Sequence, residues 1–280
     1  MRPLRALLLG LLLAAGCASA ADAPSPFPTA TGGVFEVTCH YACGAAAAQA
    51  MATARRAGEG VASLLGPLER RPLRIHLHEA AQFAAVSGRH AQGRFARNLG
   101  FTLAEEGAAY VGVEEGDTTL RAPALRRVAH EAAHLAAAAA VGGRLPPWLA
   151  EGLATRVERE VAALDADLPS RFHDPWLALH AWRALRLLDG GELPDVPRIL
   201  ADTLPLAAGD AYAVHSIFFE FMRERRWETL DALLRWAVAD GTEAPPLGPG
   251  TLAELDREFQ RYVLALADSV PWTETLRPGR

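Results

Sequence analysis

Residues 128–134 read Val-Ala-His-Glu-Ala-Ala-His and lie within a run of helix-forming residues. Positions four residues apart lie on one face of a helix, so His130 and His134 can bind the same metal ion. Glu131 lies at the edge of that face, where its carboxylate can contact a water on the metal without binding the metal itself. Two imidazole ligands, an open coordination position and a neighbouring base are the parts that a zinc hydrolase requires. The alternative interpretation is a pair of exposed helix histidines that flank a glutamate.

A second motif follows at residues 145–154, which read Leu-Pro-Pro-Trp-Leu-Ala-Glu-Gly-Leu-Ala. Two glycines at 142–143 predict the end of the first helix, and Pro147 suits the first turn of a second helix. If that helix runs back antiparallel, it brings Glu151 to the two histidines as a third ligand. Five alanines at 136–140 allow the helices to approach closely. Otherwise, Glu151 is an ordinary exposed helix residue.

Taken together, the two motifs resemble those of the gluzincin superfamily of zinc metallopeptidases, with peptidase-MA-like proteins as the nearest likeness. The likeness is strongest over residues 125–156. The resemblance implies a zincin-like fold, a Zn²⁺ cofactor and hydrolysis of peptide bonds. It also implies the roles of four residues: His130, His134 and Glu151 as zinc ligands, and Glu131 as the general base. Two histidines and one carboxylate are a common ligand set of catalytic zinc sites.

The resemblance leaves other parts of the site open. Some relatives have Asn before the ligand glutamate, where this chain has Ala150, and others have an Asp that orients a histidine, where this chain has Thr155. Related enzymes often stabilise the oxyanion with a Tyr or His from the helical part. In this chain Tyr212 is the catalytic candidate and His215 a weaker one. A tyrosine that only anchors its helix against the core is the alternative.

The N-terminus predicts export. Residues 1–20 combine a basic start, an apolar run at 6–15 and an Ala-Ser-Ala cleavage site at 18–20, as in a signal peptide. The residues leading to Cys17 also resemble a bacterial lipobox, whose cysteine would carry a lipid anchor. Soluble export is slightly favoured. Both interpretations predict a periplasmic or extracellular protein, with membrane contact only through the anchor at Cys17.

Composition and charge indicate which classes of partner and which cysteine chemistry are expected. The formal net charge is −5 and the sequence has no basic stripe, so nucleic acid is not an expected partner. Apart from Cys17, Cys39 and Cys43 are the only cysteines, and an even pair in an exported protein predicts a disulfide. The alternative is that they bind metal together with His40.

The order of predicted strands and helices along the chain indicates an α+β protein. Residues 21–33 are rich in Pro, Ala and Thr and are expected to form a flexible tether. Residues 34–280 are expected to form one zincin-like domain. Its parts are a small α/β sheet unit at 34–116, the two zinc helices at 117–165 and an all-helical part at 166–280.

Alternating apolar residues predict four strands, near residues 34–38, 72–78, 101–103 and 108–113. Between them, a short helix is expected at 79–86 and a loop at 89–100. Further helices are expected near residues 44–65, 175–189, 195–203, 208–225, 227–239 and 250–267. The strand at 108–113 precedes the first zinc helix, so it is the expected edge on which a peptide docks.

Two functions from different classes follow. The first is an exported zinc metallopeptidase that acts on a peptide or protein substrate. The second is a non-catalytic protein of the cell envelope that has the zincin fold and binds zinc or a partner. Glu131 favours the first function, because a protein that only binds has no use for a base at that position.

Overall fold

The computed structural model describes residues 29–68, 71–91, 99–165, 175–239 and 245–269. The described elements, in chain order, are β1 (Thr29–Gly32), β2 (Phe35–Cys39), α1 (Ala46–Leu65), β3 (Leu73–Glu79), α2 (Ala80–Ala91), β4 (Gly100–Leu103), β5 (Ala108–Val113), α3 (Ala122–Val141), α4 (Pro147–Asp165), α5 (Pro175–Asp189), α6 (Val196–Leu200), α7 (Ala208–Arg225), α8 (Trp227–Ala239) and α9 (Pro249–Ser269). The protein is therefore mixed α+β and mostly helical, with a small N-terminal sheet, as the sequence predicts. The predicted signal peptide, residues 1–20 with Cys17, lies outside the described residues.

The sheet has the strand order β1-β2-β3-β5-β4. Strands β2, β3 and β5 are parallel, and β1 and β4 pair antiparallel at the two ends. Side chains alternate between the faces of a strand, so Leu73, Ile75 and Leu77 of β3 lie together on one face and are fully buried. This inner face packs against α1 and α3, and α2 lies against β3 and β5 through the other face.

The prediction of a flexible tether at residues 21–33 includes residues that belong to the sheet. Residues 29–32 form strand β1, which pairs with β2 through a turn at Gly33. Gly33 has a φ of 65°, a left-handed conformation that glycine adopts without strain. The sheet therefore has five described strands instead of four, because the short polar run at 29–32 gives little apolar alternation to detect.

The prediction that residues 108–113 form an edge strand is wrong. Strand β5 pairs with β3 on one side and with β4 on the other, so it lies inside the sheet. Among the described strands, β4 is the one at this end of the sheet. Strand order depends on pairing between distant segments, which local apolar patterns do not encode. The short helix expected at 79–86 is also longer, because α2 continues to Ala91.

Helices α3 and α4 form the centre of the molecule. Helix α3 packs against α1, α4 and the strands β4 and β5. It ends before Gly142, whose φ of 65° closes the helix in the predicted way. Arg121 is its N-cap residue, and no side chain caps its first turn by a hydrogen bond. Helix α4 begins at Pro147 and packs against α3 and α7.

The second motif packs one face of α4 into the core. Trp148, Leu149 and Leu153 are fully buried, and the Trp148 ring meets the edge of Phe218 on α7 at a centroid distance of 5.3 Å. A Cβ atom added at Gly152 would lie 2.3 Å from the Cβ of Phe219. Gly152 is therefore needed for the close approach of α4 and α7.

The remaining described helices, α5 to α9, form the helical C-terminal part and agree with the predicted helices apart from the shorter α6. Phe221 of α7 and Phe259 of α9 are buried, and their tilted rings have centroids 5.6 Å apart. Over the described ranges, no helix combines the length and apolar character required to cross a bilayer. In the N-terminal part of the described chain, the predicted disulfide joins Cys39 of β2 to Cys43, which precedes α1.

Candidate metal centre

The two motifs bring three side chains together. On α3, the Nε2 atoms of His130 and His134 are 3.1 Å apart. From α4, Oε2 of Glu151 lies 3.5 Å from Nε2 of His130 and 3.6 Å from Nε2 of His134. Within the described ranges, these three residues are the only group of three or more metal-binding side chains whose ligand atoms converge. The sequence predicted this set.

The spacing of the three atoms fits one small cation. Two nitrogen ligands at 2.0–2.1 Å from a tetrahedral ion are about 3.3 Å apart, and a carboxylate oxygen fits at a similar distance. The observed separations are within a few tenths of an ångström of that value. The site therefore needs little rearrangement to bind a divalent ion, and three protein ligands leave the fourth tetrahedral position open.

Glu131 lies beside this group and is held by the end strand of the sheet. It is only 7% exposed. The hydroxyl of Thr102 on β4 donates a 2.7 Å hydrogen bond to its Oε2. A Cβ at Gly100 would lie 2.6 Å from its Oε1, so the absence of a side chain there leaves room for the carboxylate. Thr102 and Gly100 together fix the position of the Glu131 carboxylate.

Burial and charge set the protonation of both carboxylates. Burial raises the pKa of Glu131, although the neighbouring histidines and the Thr102 hydroxyl oppose this rise. Burial also favours the neutral form of Glu151, but the two imidazoles outweigh it and hold its pKa well below the usual range. Glu151 therefore stays charged, which metal binding requires, while Glu131 is brought closer to accepting a proton.

His130 is oriented from its other ring nitrogen. Its Nδ1 lies 3.2 Å from Oε2 of Glu158, which is seven residues after Glu151 on the same face of α4. Burial lowers the pKa of His130, but Tyr212, Glu151 and Glu158 outweigh burial and hold this pKa well above its usual range. A bound metal ion would replace the proton on Nε2, while the proton on Nδ1 is donated to Glu158. Arg126 lies 3.8 Å from the same carboxylate and balances its charge.

The structure brings Tyr212 to the site, but to the outer side of His130. Its hydroxyl lies 3.4 Å from Nδ1 of His130 and accepts a 2.8 Å hydrogen bond from Thr155. Burial raises the pKa of Tyr212 to about 12, so the hydroxyl stays protonated. These contacts favour a role in orienting His130. The catalytic contact with an oxyanion stays a prediction to which this geometry adds no support.

His215, the weaker candidate, is buried on α7, and its Nε2 lies 3.8 Å from Oδ1 of Asp202. Burial lowers its pKa, so the ring is neutral at neutral pH. The charge of Glu151 acts on His215, but no described hydrogen bond or ion pair joins His215 to the three converging side chains. Its catalytic role also stays a prediction.

Sequence reasoning missed three residues of the site: Gly100, Thr102 and Glu158. Glu158 had a local signal, because a residue seven positions after Glu151 lies on the same helical face. Thr155, where some relatives have an orienting Asp, instead contacts Tyr212. Thr102 and Gly100 had no local sequence signal, because only the pairing of β4 with β5 brings them to α3.

Replacing Glu158 with Gln is expected to weaken zinc binding by roughly 10- to 100-fold, because the neutral amide no longer fixes the proton on Nδ1 of His130. Competition with a chromophoric chelator measures the affinity. Glu160→Gln is the matched control, since Glu160 lies on the same helix, is exposed and forms an ion pair with Arg156. Equal affinities for the wild type and Glu158→Gln would contradict this role.

Replacing Thr102 with Val keeps the side-chain shape but removes the hydroxyl that holds Glu131. The peptide hydrolysis that the resemblance implies is expected to slow about tenfold, which corresponds to roughly 1.4 kcal/mol, with the zinc content unchanged. Thr102→Ser retains the donor and should recover most of the activity. Steady-state kinetics on the three proteins test this, and a Val variant as active as Ser would disprove it.

In comparisons with known proteins, no protein-family model matches the chain, and no curated protein matches it significantly. The functional assignment therefore depends on the residues of the site and their geometry.

Proposed function

We propose that this protein is an exported zinc metallopeptidase of the gluzincin type with a zincin-like fold. The observation that carries the proposal is the convergence of His130, His134 and Glu151 with the buried base Glu131 beside them. Ligand atoms of two imidazoles and one carboxylate favour zinc, and the open position favours catalysis over a purely structural ion.

Each residue of the site has its own role in the proposed reaction. Bound Zn²⁺ would polarise the scissile carbonyl and acidify a water molecule. Glu131 takes the proton of the attacking water on its carboxylate and passes it to the leaving amine. Thr102 keeps that carboxylate in place, and Glu158 holds His130 in the tautomer that leaves Nε2 free to bind.

A peptide substrate suits the surroundings of the base. Strand β4 ends the described sheet and contacts Glu131 directly through Thr102. An extended peptide that adds to β4 as a further strand would have its backbone beside the base. This supports hydrolysis of a peptide bond in an extended segment, whereas the preferred side chains are not specified by these contacts.

The proposed export has separate support. The disulfide between Cys39 and Cys43 is typical of proteins that fold in an oxidising compartment outside the cytosol. Residues 1–20 carry the predicted signal peptide, with an alternative lipid anchor at Cys17. The proposed location is therefore the periplasm or the extracellular side of the envelope.

The experiment removes and restores the metal. Protein stripped with a chelator is expected to cleave nothing in a mixed peptide library, and one equivalent of Zn²⁺ should restore cleavage, measured by mass spectrometry. His134→Ala should bind no zinc at this site and stay inactive. Stoichiometric zinc without any cleavage would instead favour the non-catalytic, zinc-binding alternative. Failure of the wild type to bind zinc would contradict both functions.

A further inference from the structure

A second group of histidines lies on the outer face of the sheet, away from α3. His76 and His78 alternate with the buried Ile75 and Leu77 of β3, so both rings lie on the face opposite the main core. His40 follows β2 and joins them. Its Nε2 is 3.1 Å from Nδ1 of His76, and its ring stacks on that of His78 at a centroid distance of 4.1 Å.

The backbone holds His40 firmly in this position. Its N–H donates a 2.9 Å hydrogen bond to the carbonyl of Leu77 on β3. His40 also lies inside the loop closed by the disulfide between Cys39 and Cys43. On the other side, the ring of His76 stacks on Tyr110 of β5 at a centroid distance of 5.0 Å. The two facing nitrogens are thus preorganised by rigid elements.

The distance between those nitrogens fits a shared metal ion. Ligand nitrogens at 2.0–2.1 Å from one ion are about 2.9 Å apart at a right angle and about 3.3 Å apart at a tetrahedral angle. The value of 3.1 Å lies between these limits and equals the separation of the His130 and His134 nitrogens in the first site. A bound ion would take the place of the proton that the two nitrogens share.

Burial shapes this group of histidines as well as their spacing. His78 is only 7% exposed, and its Nε2 has no hydrogen-bond partner among the described residues. A buried polar atom without a partner is destabilising, and a hydrated ligand beside it would relieve that cost.

We propose that His40 and His76 form a second metal site, which binds a divalent transition ion through two imidazoles. His78 stacks on His40 and adds a buried Nε2 without a described hydrogen-bond partner. Imidazole ligands select Cu²⁺, Ni²⁺ and Zn²⁺ over Mg²⁺ and Ca²⁺, and Cu²⁺ is bound most tightly in that series. The ion would tie the disulfide loop after β2 to β3. This site is independent of the proposed peptidase function.

The test measures Cu²⁺ bound to the full chain by equilibrium dialysis and elemental analysis. The double variant His130→Ala/His134→Ala, which lacks the first site, is expected to retain about one equivalent of Cu²⁺ with a two-nitrogen signature in electron paramagnetic resonance. Adding His40→Gln or His76→Gln should remove it. Both substitutions keep a polar group that can hydrogen-bond the remaining histidine, so the sheet is expected to fold.

The matched control is His90→Gln in the same background. The ring centroid of His90 lies 5.1 Å from that of Tyr110 on this face of the sheet, but His90 makes no described contact with His40. Its replacement should leave the bound copper unchanged. The proposal is overturned if the double variant binds no Cu²⁺, or if copper remains after both His40 and His76 have been replaced.

Discussion

Replacing Glu131 with Gln is expected to lower the rate of peptide hydrolysis by roughly 10²- to 10⁴-fold while one zinc ion stays bound. The amide has nearly the same shape, so it can still accept the hydrogen bond from Thr102. It cannot take up a proton from water at neutral pH. Because Glu131 is not one of the three converging ligands, the metal content should not change.

Initial rates and elemental analysis on the same preparation test this pair of outcomes. Glu36→Gln is the control, because Glu36 is an exposed residue of β2 that pairs loosely with Arg74. It should match the wild type in rate and in zinc. A Glu131→Gln protein that retains most of its activity would contradict the role of Glu131 as the base.

Replacing Gly152 with Ala is expected to destabilise the fold by about 1–3 kcal/mol or more, because the new methyl group overpacks the contact between α4 and α7. The added Cβ would lie 2.3 Å from the Cβ of Phe219, an atom fixed to the backbone of α7 that no side-chain rotation can move away. The two helices must therefore separate. Since Glu151 is the adjacent residue, zinc affinity should fall as well.

Urea unfolding of the metal-free protein measures the loss of stability. Gly60→Ala is a matched control in the interior of α1, where the added Cβ would meet Val157 at an ordinary 3.5 Å. Alanine is the better helix former, so this variant should be stabilised by roughly 0.5–1 kcal/mol. Equal stabilities for Gly152→Ala and the wild type would show that α4 and α7 do not depend on this close approach.

The parts of the fold that depend on nearby residues were predictable from the sequence. Glycines at 142–143 and Pro147 define the turn between α3 and α4, and the 3.6-residue period defines the helices. Because this single helical hairpin carries all three converging ligands, His130, His134 and Glu151 could be named without knowledge of the fold.

The rest of the site depends on contacts between distant segments. Thr102 is 29 residues before Glu131, and only the order of the strands brings it to the base. The same order places β5 inside the sheet, contrary to the prediction that it is an edge. Tyr212 reaches His130 across 82 residues, and the sequence could not show that it approaches the outer nitrogen of the ring.

The most direct measurement is a crystal structure of the zinc-loaded protein with anomalous diffraction data on both sides of the zinc absorption edge. We expect an anomalous peak about 2.0–2.2 Å from Nε2 of His130, Nε2 of His134 and a carboxylate oxygen of Glu151. Glu131 should lie close to the ion without binding it. A fully occupied zinc ion elsewhere, with these three side chains unliganded, would contradict the proposed metal centre.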